Sequence, residues 1–239
     1  TRNRGLAAAR GRYVANLDSD DLMLPDRLAR QVAFLDANPG CALVGSAKRR
    51  IDSQGRRRWR PGGRPGRPAA VHARLLFRCC IANTSVMART AVMQAHGYDE
   101  TFPVCQDYDL FARLARHYPL ANLPEALVAY RRHDSQASGA SATTMAMQKR
   151  IMARDLDHLG VVYDSADLHA HAHLARSRRQ HRPARADLIR ARDWLHRLLA
   201  ANDRARIYDP AAFRRVLGQV WLAQVAKAEI GAVPGGAAQ

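Results

Sequence analysis

Three short stretches of this 239-residue chain place carboxylates, or cations beside a histidine, at spacings that can do chemistry. The first is Asp18-Ser19-Asp20-Asp21, which ends the β-prone run Arg12 to Leu17. In an extended backbone alternate side chains share one side, so Asp18 and Asp20 are predicted to present oxygens to one point beyond the strand end. Such oxygens suit Mg²⁺ or Mn²⁺, which take one or two carboxylates and complete their shell with phosphate and water. The same residues can also form an acidic turn, with Ser19 or Asp21 capping a helix expected to start near Pro25. The triplet alone supports both readings. The second stretch is Gly97-Tyr98-Asp99-Glu100 with Gln106-Asp107-Tyr108-Asp109 close behind. Asp107 is predicted at a helix start, where unpaired N–H groups and the helix dipole favour an ionised carboxylate. A carboxylate so placed can take a proton from a hydroxyl nucleophile, or simply cap the helix. The third stretch is Tyr130-Arg131-Arg132-His133. There His133 can ligate a metal or touch phosphate and either arginine can hold phosphate, or all three can be surface residues.

These residues need a scaffold, and the hydrophobic pattern supplies one. Arg12 to Leu17 reads as a strand and Leu28, Val32 and Leu35 recur at helical spacing. The compact apolar run Cys41 to Ser46 reads as the next strand. Strand, helix, strand predicts an α/β fold with a mostly parallel sheet, whose ligands bind beyond the carboxyl ends of the strands. Further helices are expected over His72 to Phe77 and Asp107 to His117, and strands over Thr84 to Ala88 and Ala126 to Tyr130. Residues 1–135 are thus read as one catalytic domain and 136–144, rich in Ser, Ala and Thr, as a linker. Helices are expected through 145–230, including Met145 to Leu159, Ala184 to Ala200 and Pro210 to Lys227. The tail 231–239 is expected to be disordered.

Composition sets outer bounds. The hydrophobic fraction of 47% is ordinary for a globular chain, and no apolar stretch is long enough to span a bilayer. Cys41, Cys79, Cys80 and Cys105 show no metal-ligand spacing and read as free thiols of a reducing, cytoplasmic protein. The formal net charge is +17, and Lys48, Lys149 and Lys227 are the only lysines. Such a chain is drawn to nucleotide phosphates, anionic lipid or nucleic acid without distinguishing them.

The order of these features resembles glycosyltransferase family 2. The matching stretches are RNRGLAAARGRYVANLDSDD, LPDRLARQVAFLDANP, NTSVMAR, GYDETFPVCQDYDLFARLA and LPEALVAYRRH, together covering roughly the first 135 residues. The resemblance implies a GT-A fold of Rossmann type and an inverting transfer of a single sugar from a nucleotide-diphosphate-sugar to an acceptor hydroxyl, with Mn²⁺ or Mg²⁺. It implies that Asp20 ligates the metal directly, that Asp18 lies by ribose and metal, and that Asp107 is the general base. Arg2 falls on the arginine of the family's donor-side segment. His133 is carried as a further metal ligand, and Ser85 and Asp109 as acceptor-side residues. The acceptor is a glycan, a lipid-linked sugar or another hydroxyl, and the Arg-rich helices are a candidate peripheral contact with an anionic inner membrane face.

Three departures accompany the resemblance. The family's first βα units, with half of the nucleotide pocket, are expected upstream of Thr1. The usual acidic pair is Gln106-Asp107 here. The QxxRW signature of processive synthases is missing, which favours single additions. A nucleotidyltransferase would also set carboxylates and a divalent ion on a nucleotide, but it lacks the late GYDE…QDYD element. A catalytically silent basic binding module is the rival from another class. Gly63-Arg64-Pro65 and Gly66-Arg67-Pro68 resemble a minor-groove hook, but a basic Gly/Pro loop is the simpler reading, so nucleic acid is not expected as a partner. His169 and His173 stand at i, i+4 without an acidic or thiol neighbour and read as a solvated helix face.

Overall fold

In the computed structural model the chain is described over residues 1–56, 66–132, 141–174 and 183–230. His133, the first Gly-Arg-Pro repeat, most of the expected linker and the tail lie outside these residues. Two units are distinguished, Thr1–Gln148 and Lys149–Gln239.

Unit 1 opens with helix α1 (Arg2–Ala8), then β1 (Tyr13–Ala15), β2 (Leu22–Met23), α2 (Arg27–Ala37) and β3 (Leu43–Ile51). Helix α3 (Pro68–Leu75) follows, then a 3-10 turn (Asn83–Ser85), β4 (Met87–Arg89), α4 (Thr90–His96), α5 (Gln106–Ala115) and β5 (Leu120–Arg131). The five strands form one sheet in the order β1-β4-β3-β5-β2. Only β3 and β5 pair in parallel; β1 with β4, β4 with β3, and β2 with β5 are antiparallel.

The α/β class therefore holds, but the sheet is mixed rather than mostly parallel. The βαβ rhythm did give the directions correctly, since β1 and β3 both run antiparallel to β4 and so point the same way. What sequence spacing could not show is that β4 inserts between them. A strand of three residues carries no signal of which gap it fills.

Helix α2 packs its apolar stripe on the sheet. Leu35, Cys41, Val44, Met87 and Ala121 form a buried cluster, with Tyr13, Val32, Phe34 and Leu123 around it. Burial of each such aliphatic side chain stabilises by about 1.5–3 kcal/mol. One residue beyond Val44, Gly45 faces the other side of the sheet, as strand alternation requires. A Cβ on Gly45 would lie 2.4 Å from the Asn122 side chain and 2.6 Å from Ile81, so only glycine fits. The second Gly-Arg-Pro repeat is structural: Gly66 pairs with Asn122 and Pro68 opens α3.

Unit 2 contains the end of α6 (Ala142–Leu159), then α7 (Ser165–Leu174), α8 (Arg185–Ala205) and α9 (Pro210–Ile230). Helix α6 begins inside the stretch expected as a linker. Trp194, Leu198, Phe213 and Val216 are buried, and Tyr208 stacks on Phe213 at 4.8 Å between ring centroids. His171 is also buried and accepts a hydrogen bond from the Trp194 indole at 3.1 Å. No described helix is long and apolar enough to cross a membrane.

Candidate active site

The acidic run is a turn, which corrects the extended geometry expected for it. Strand β1 stops at Ala15, and the Asp21 N–H donates to Asp18 O at 3.1 Å. Asp and Ser side chains compete for nearby backbone groups and favour such turns over strand. The capping alternative does not describe it either, because the residue preceding α2 is Asp26. Asp18 is half-buried; its Oδ1 accepts from Asn83 Nδ2 at 3.4 Å and its N–H donates to Thr84 Oγ1 at 3.3 Å. Burial pushes its carboxyl above the usual range, aided by the charges of Asp21 and Asp20 and opposed by Arg2.

What holds the turn is a set of residues that motif reading passed over. Arg27 is fully buried, and its guanidinium donates to Asn16 O at 2.7 Å, Val86 O at 3.0 Å and Gln31 Oε1 at 3.0 Å. Gln31, equally buried, donates to Val44 O at 3.0 Å and Ser85 O at 2.7 Å. Together the pair ties β1, β3 and β4 at the end from which the turn emerges. Burial lowers the Arg27 pKa to about 10, still well above neutrality, so it stays a cation. The signal was present in the sequence, since an Arg and a Gln at i, i+4 occupy the inward stripe of an amphipathic helix. On the far side Arg131 donates from its backbone to Asp21 Oδ1 at 2.8 Å and from Nε to Asp20 O at 2.9 Å. Its Nη1 reaches Asp52 O and Ser53 O. Arg131 thus holds backbone, where phosphate contact was one of the readings for it.

The second motif is latched to the first. The Asn3 side chain accepts from the Tyr98 N–H and donates to Tyr98 O, both at 2.8 Å, and donates to Glu100 Oε1 at 3.0 Å. Asn16 Nδ2 reaches both Asn83 Oδ1 and the Tyr98 hydroxyl at 3.0 Å. Arg2 lies 5.4 Å from the centroid of the Tyr98 ring and donates to Gln106 Oε1. The glutamine that departs from the family's acidic pair is therefore the anchor of the donor-side arginine.

Asp107 sits in the first turn of α5, directly after Cys105, whose φ of 63° is left-handed. A non-glycine residue held there stores strain, and such residues cluster at functional sites. Asp107 Oδ1 accepts from the Tyr108 N–H at 2.9 Å. Burial raises its pKa, against the lowering effects of the Tyr108 N–H, Arg2, its own N–H and Lys48. Arg2 lowers the pKa of both Asp18 and Asp107 against burial, and its contacts with Tyr98 and Gln106 set it at the junction of the two motifs, the candidate cleft.

Two expected acceptor-side residues are not in that cleft. Ser85 is fully buried; its hydroxyl donates to Ala82 O at 2.8 Å and accepts from the Ser46 N–H at 3.0 Å. Asp109 is fully buried in an ion pair with Arg113 at 2.9 Å. Arg113 in turn holds His96 O and Gly97 O, so Asp109 supports the glycine turn that presents Tyr98. One helical position separates a recessed candidate base from a core residue. The cysteines nearest Asp107, Cys79 and Cys105, are pushed up by burial and stay as neutral thiols, Cys105 to about 11.

The donor set fits a hard divalent cation. Asp18 and Asp20 mutually repel in a partly desolvated turn, and the buried Oδ2 of their neighbour Asp21 has no hydrogen-bond partner. No cluster of three or more His, Cys, Asp or Glu ligands occurs among the described residues. An ion held by Asp18 and Asp20 would therefore have to draw the rest of its shell from substrate and water.

Comparison with known proteins agrees with this arrangement. Residues 1–96 match the family described as Glycosyl transferase family 2. An uncharacterized glycosyltransferase of Haemophilus influenzae is 28% identical over 153 residues, 57% of this chain and 45% of that protein. The amylovoran biosynthesis glycosyltransferase AmsE of Erwinia amylovora is 28% identical over 134 residues, 54% of this chain and 48% of its own length. The chain spans about half the length of the curated relatives it matches. The crystal structure of S. aureus TarS 1–349 shares the fold, with a TM-score of 0.51 at 15% identity over 95% of this chain and 67% of that one. Residues 1–96 thus carry the likeness to glycosyltransferase family 2, relatives named as glycosyltransferases align over little more than half of the chain, and the TarS likeness shows the fold alone.

Proposed function

We propose that the chain transfers a single sugar, with inversion, from a nucleotide-diphosphate-sugar to an acceptor hydroxyl. The observation that carries this reading is the latch between the two motifs: Asn16 Nδ2 bonds the Tyr98 hydroxyl, and Arg2 lies over the Tyr98 ring and holds Gln106 beside Asp107. Asp18 and Asp20 are the residues that would hold Mn²⁺ or Mg²⁺, and that ion, when bound, neutralises charge on a departing diphosphate. Arg2, steadied by Tyr98 and Gln106, adds a fixed positive charge on the same side.

Asp107 supplies the other half of the reaction. Burial raises its pKa, which makes its carboxylate a better proton acceptor than that of an exposed aspartate. In this reading the acceptor hydroxyl gives its proton to the Asp107 carboxylate as its oxygen bonds to the anomeric carbon. The bond to the diphosphate breaks on the opposite face. AmsE is named for amylovoran biosynthesis, and a glycan or lipid-linked acceptor is the corresponding reading for this chain. The Asp107→Asn variant tests the assignment: it should lose about 10²–10⁴-fold in turnover with donor affinity kept. Near-normal transfer would remove Asp107 from catalysis and turn attention to Asp99.

A further inference from the structure

Among the described residues Lys48 meets an aromatic ring face but no hydrogen-bond acceptor. It lies on β3 just past two register shifts against β5, between Ser46 and Ala47 and between Ala47 and Lys48. Such irregularities turn a strand and re-aim the side chain that follows. The Lys48 ammonium ends 3.9 Å from the centroid of the Tyr130 ring. The ring face stabilises the cation but accepts none of its hydrogen bonds in the strong sense. Among the described residues no oxygen accepts a hydrogen bond from Lys48 Nζ, and no carboxylate pairs with it.

Its surroundings are those of the site. Burial lowers its pKa most, with Arg50 and Arg132 acting the same way and Asp21 opposing, and its charge in turn is felt by Asp107. Lysines are rare in this chain, which uses arginine almost wherever a cation meets a carbonyl or carboxylate. An ammonium is a compact point charge with three rotatable donors, suited to a single oxygen where a planar fork is not. A half-desolvated ammonium without acceptors is costly unless a ligand supplies them.

We propose that Lys48 is a specificity-determining residue that receives an anionic phosphate oxygen of the substrate, beside Asp107 and above Tyr130. The inference rests on the glycosyl-transfer reading for which molecule carries that phosphate: the donor diphosphate, or a phosphorylated acceptor such as a lipid-linked sugar. The shared chemistry is phosphate, and two probes separate the sources.

Calorimetry with uridine diphosphate plus Mn²⁺, and with α-glucose 1-phosphate plus Mn²⁺, would be run on the wild type, Lys48→Met and Lys48→Arg at low salt. Losing a charge-assisted bond in a partly buried site is expected to weaken the responsible probe about tenfold or more in Lys48→Met, with partial recovery in Lys48→Arg. A loss confined to the diphosphate assigns Lys48 to the donor; a loss confined to the monophosphate assigns it to the acceptor. Equal affinities of wild type and Lys48→Met for both probes, with the variant melting as the wild type does, would overturn the proposal. Should Lys48→Met fail to fold, unchanged affinities in Lys48→Arg and Tyr130→Leu would overturn it instead. If the wild type binds the monophosphate through Lys48 but no diphosphate at all, the anion site stands and the transfer reading falls.

Discussion

Arginines drawn from the two units of this chain show two different uses of the same side chain. In unit 1 Arg27, Arg89, Arg113 and Arg131 turn their guanidinium groups onto backbone carbonyls. Arg89 takes Leu35 O, Asn38 O and Cys41 O where α2 ends, and Arg113 takes His96 O and Gly97 O where α4 ends. The last carbonyls of a helix have no partner within it, and a planar fork of donors satisfies several at once. In unit 2 Arg190 pairs with Asp187, Arg192 with Asp193 and Arg214 with Asp203, in each case with the arginine side chain more than half exposed. Exposed pairs of this kind contribute at most about 1 kcal/mol each and are screened by salt. The charge of +17 is therefore no single signal. Part of it fastens chain ends around the site, and part of it is solvated surface.

The sharpest test of that contrast is Arg27. Replacing it with methionine keeps volume but leaves Gln31 Oε1 and the strand-end carbonyls short of donors, a loss of about 2–4 kcal/mol in urea unfolding. A loss under about 1 kcal/mol would mean the clamp does not organise the strand ends, and the distinction between the units would weaken.

A smaller effect, of opposite sign, belongs to Asp107. Its folded pKa lies above the unfolded value because burial disfavours the charged form. The stability it contributes is thus fully present below the unfolded carboxyl pKa and is lost as pH rises through the folded one. Asp107→Asn is neutral at every pH, so it should melt above the wild type near pH 7 and converge with it in acid. A variant that melts below the wild type at pH 7 would show that the ionised carboxylate is anchoring α5 instead.

The smallest effect should come from unit 2. Arg190→Gln removes a pair whose arginine side chain is 72% exposed. No measurable change in melting temperature is expected, at low or high salt. A clear loss would mean these surface arginines carry tertiary structure after all.

The sequence by itself placed carboxylates after a strand and at a helix start, because both positions follow from local pattern, while the roles proposed for them come from the family resemblance. Asp18, Asp20, Asp107 and Arg2 were all nameable in advance, as were the existence and type of α2, α5, α8 and α9. The tertiary structure decided which neighbours matter. Asp107 and Asp109 share one helical turn and read alike, yet Arg113 draws Asp109 wholly into the core. Ser85 looked like an accessible hydroxyl until the 3-10 turn buried it against Ser46. Antiparallel insertion of β4 between β1 and β3 brings Asn83 and Thr84 onto Asp18, a pairing no spacing encodes. The same holds for Lys48, whose direction is set by a strand irregularity and whose role depends on Tyr130 from β5. Local propensity fixes what a residue can do, while long-range pairing fixes what it faces, and burial then decides which capacity is expressed.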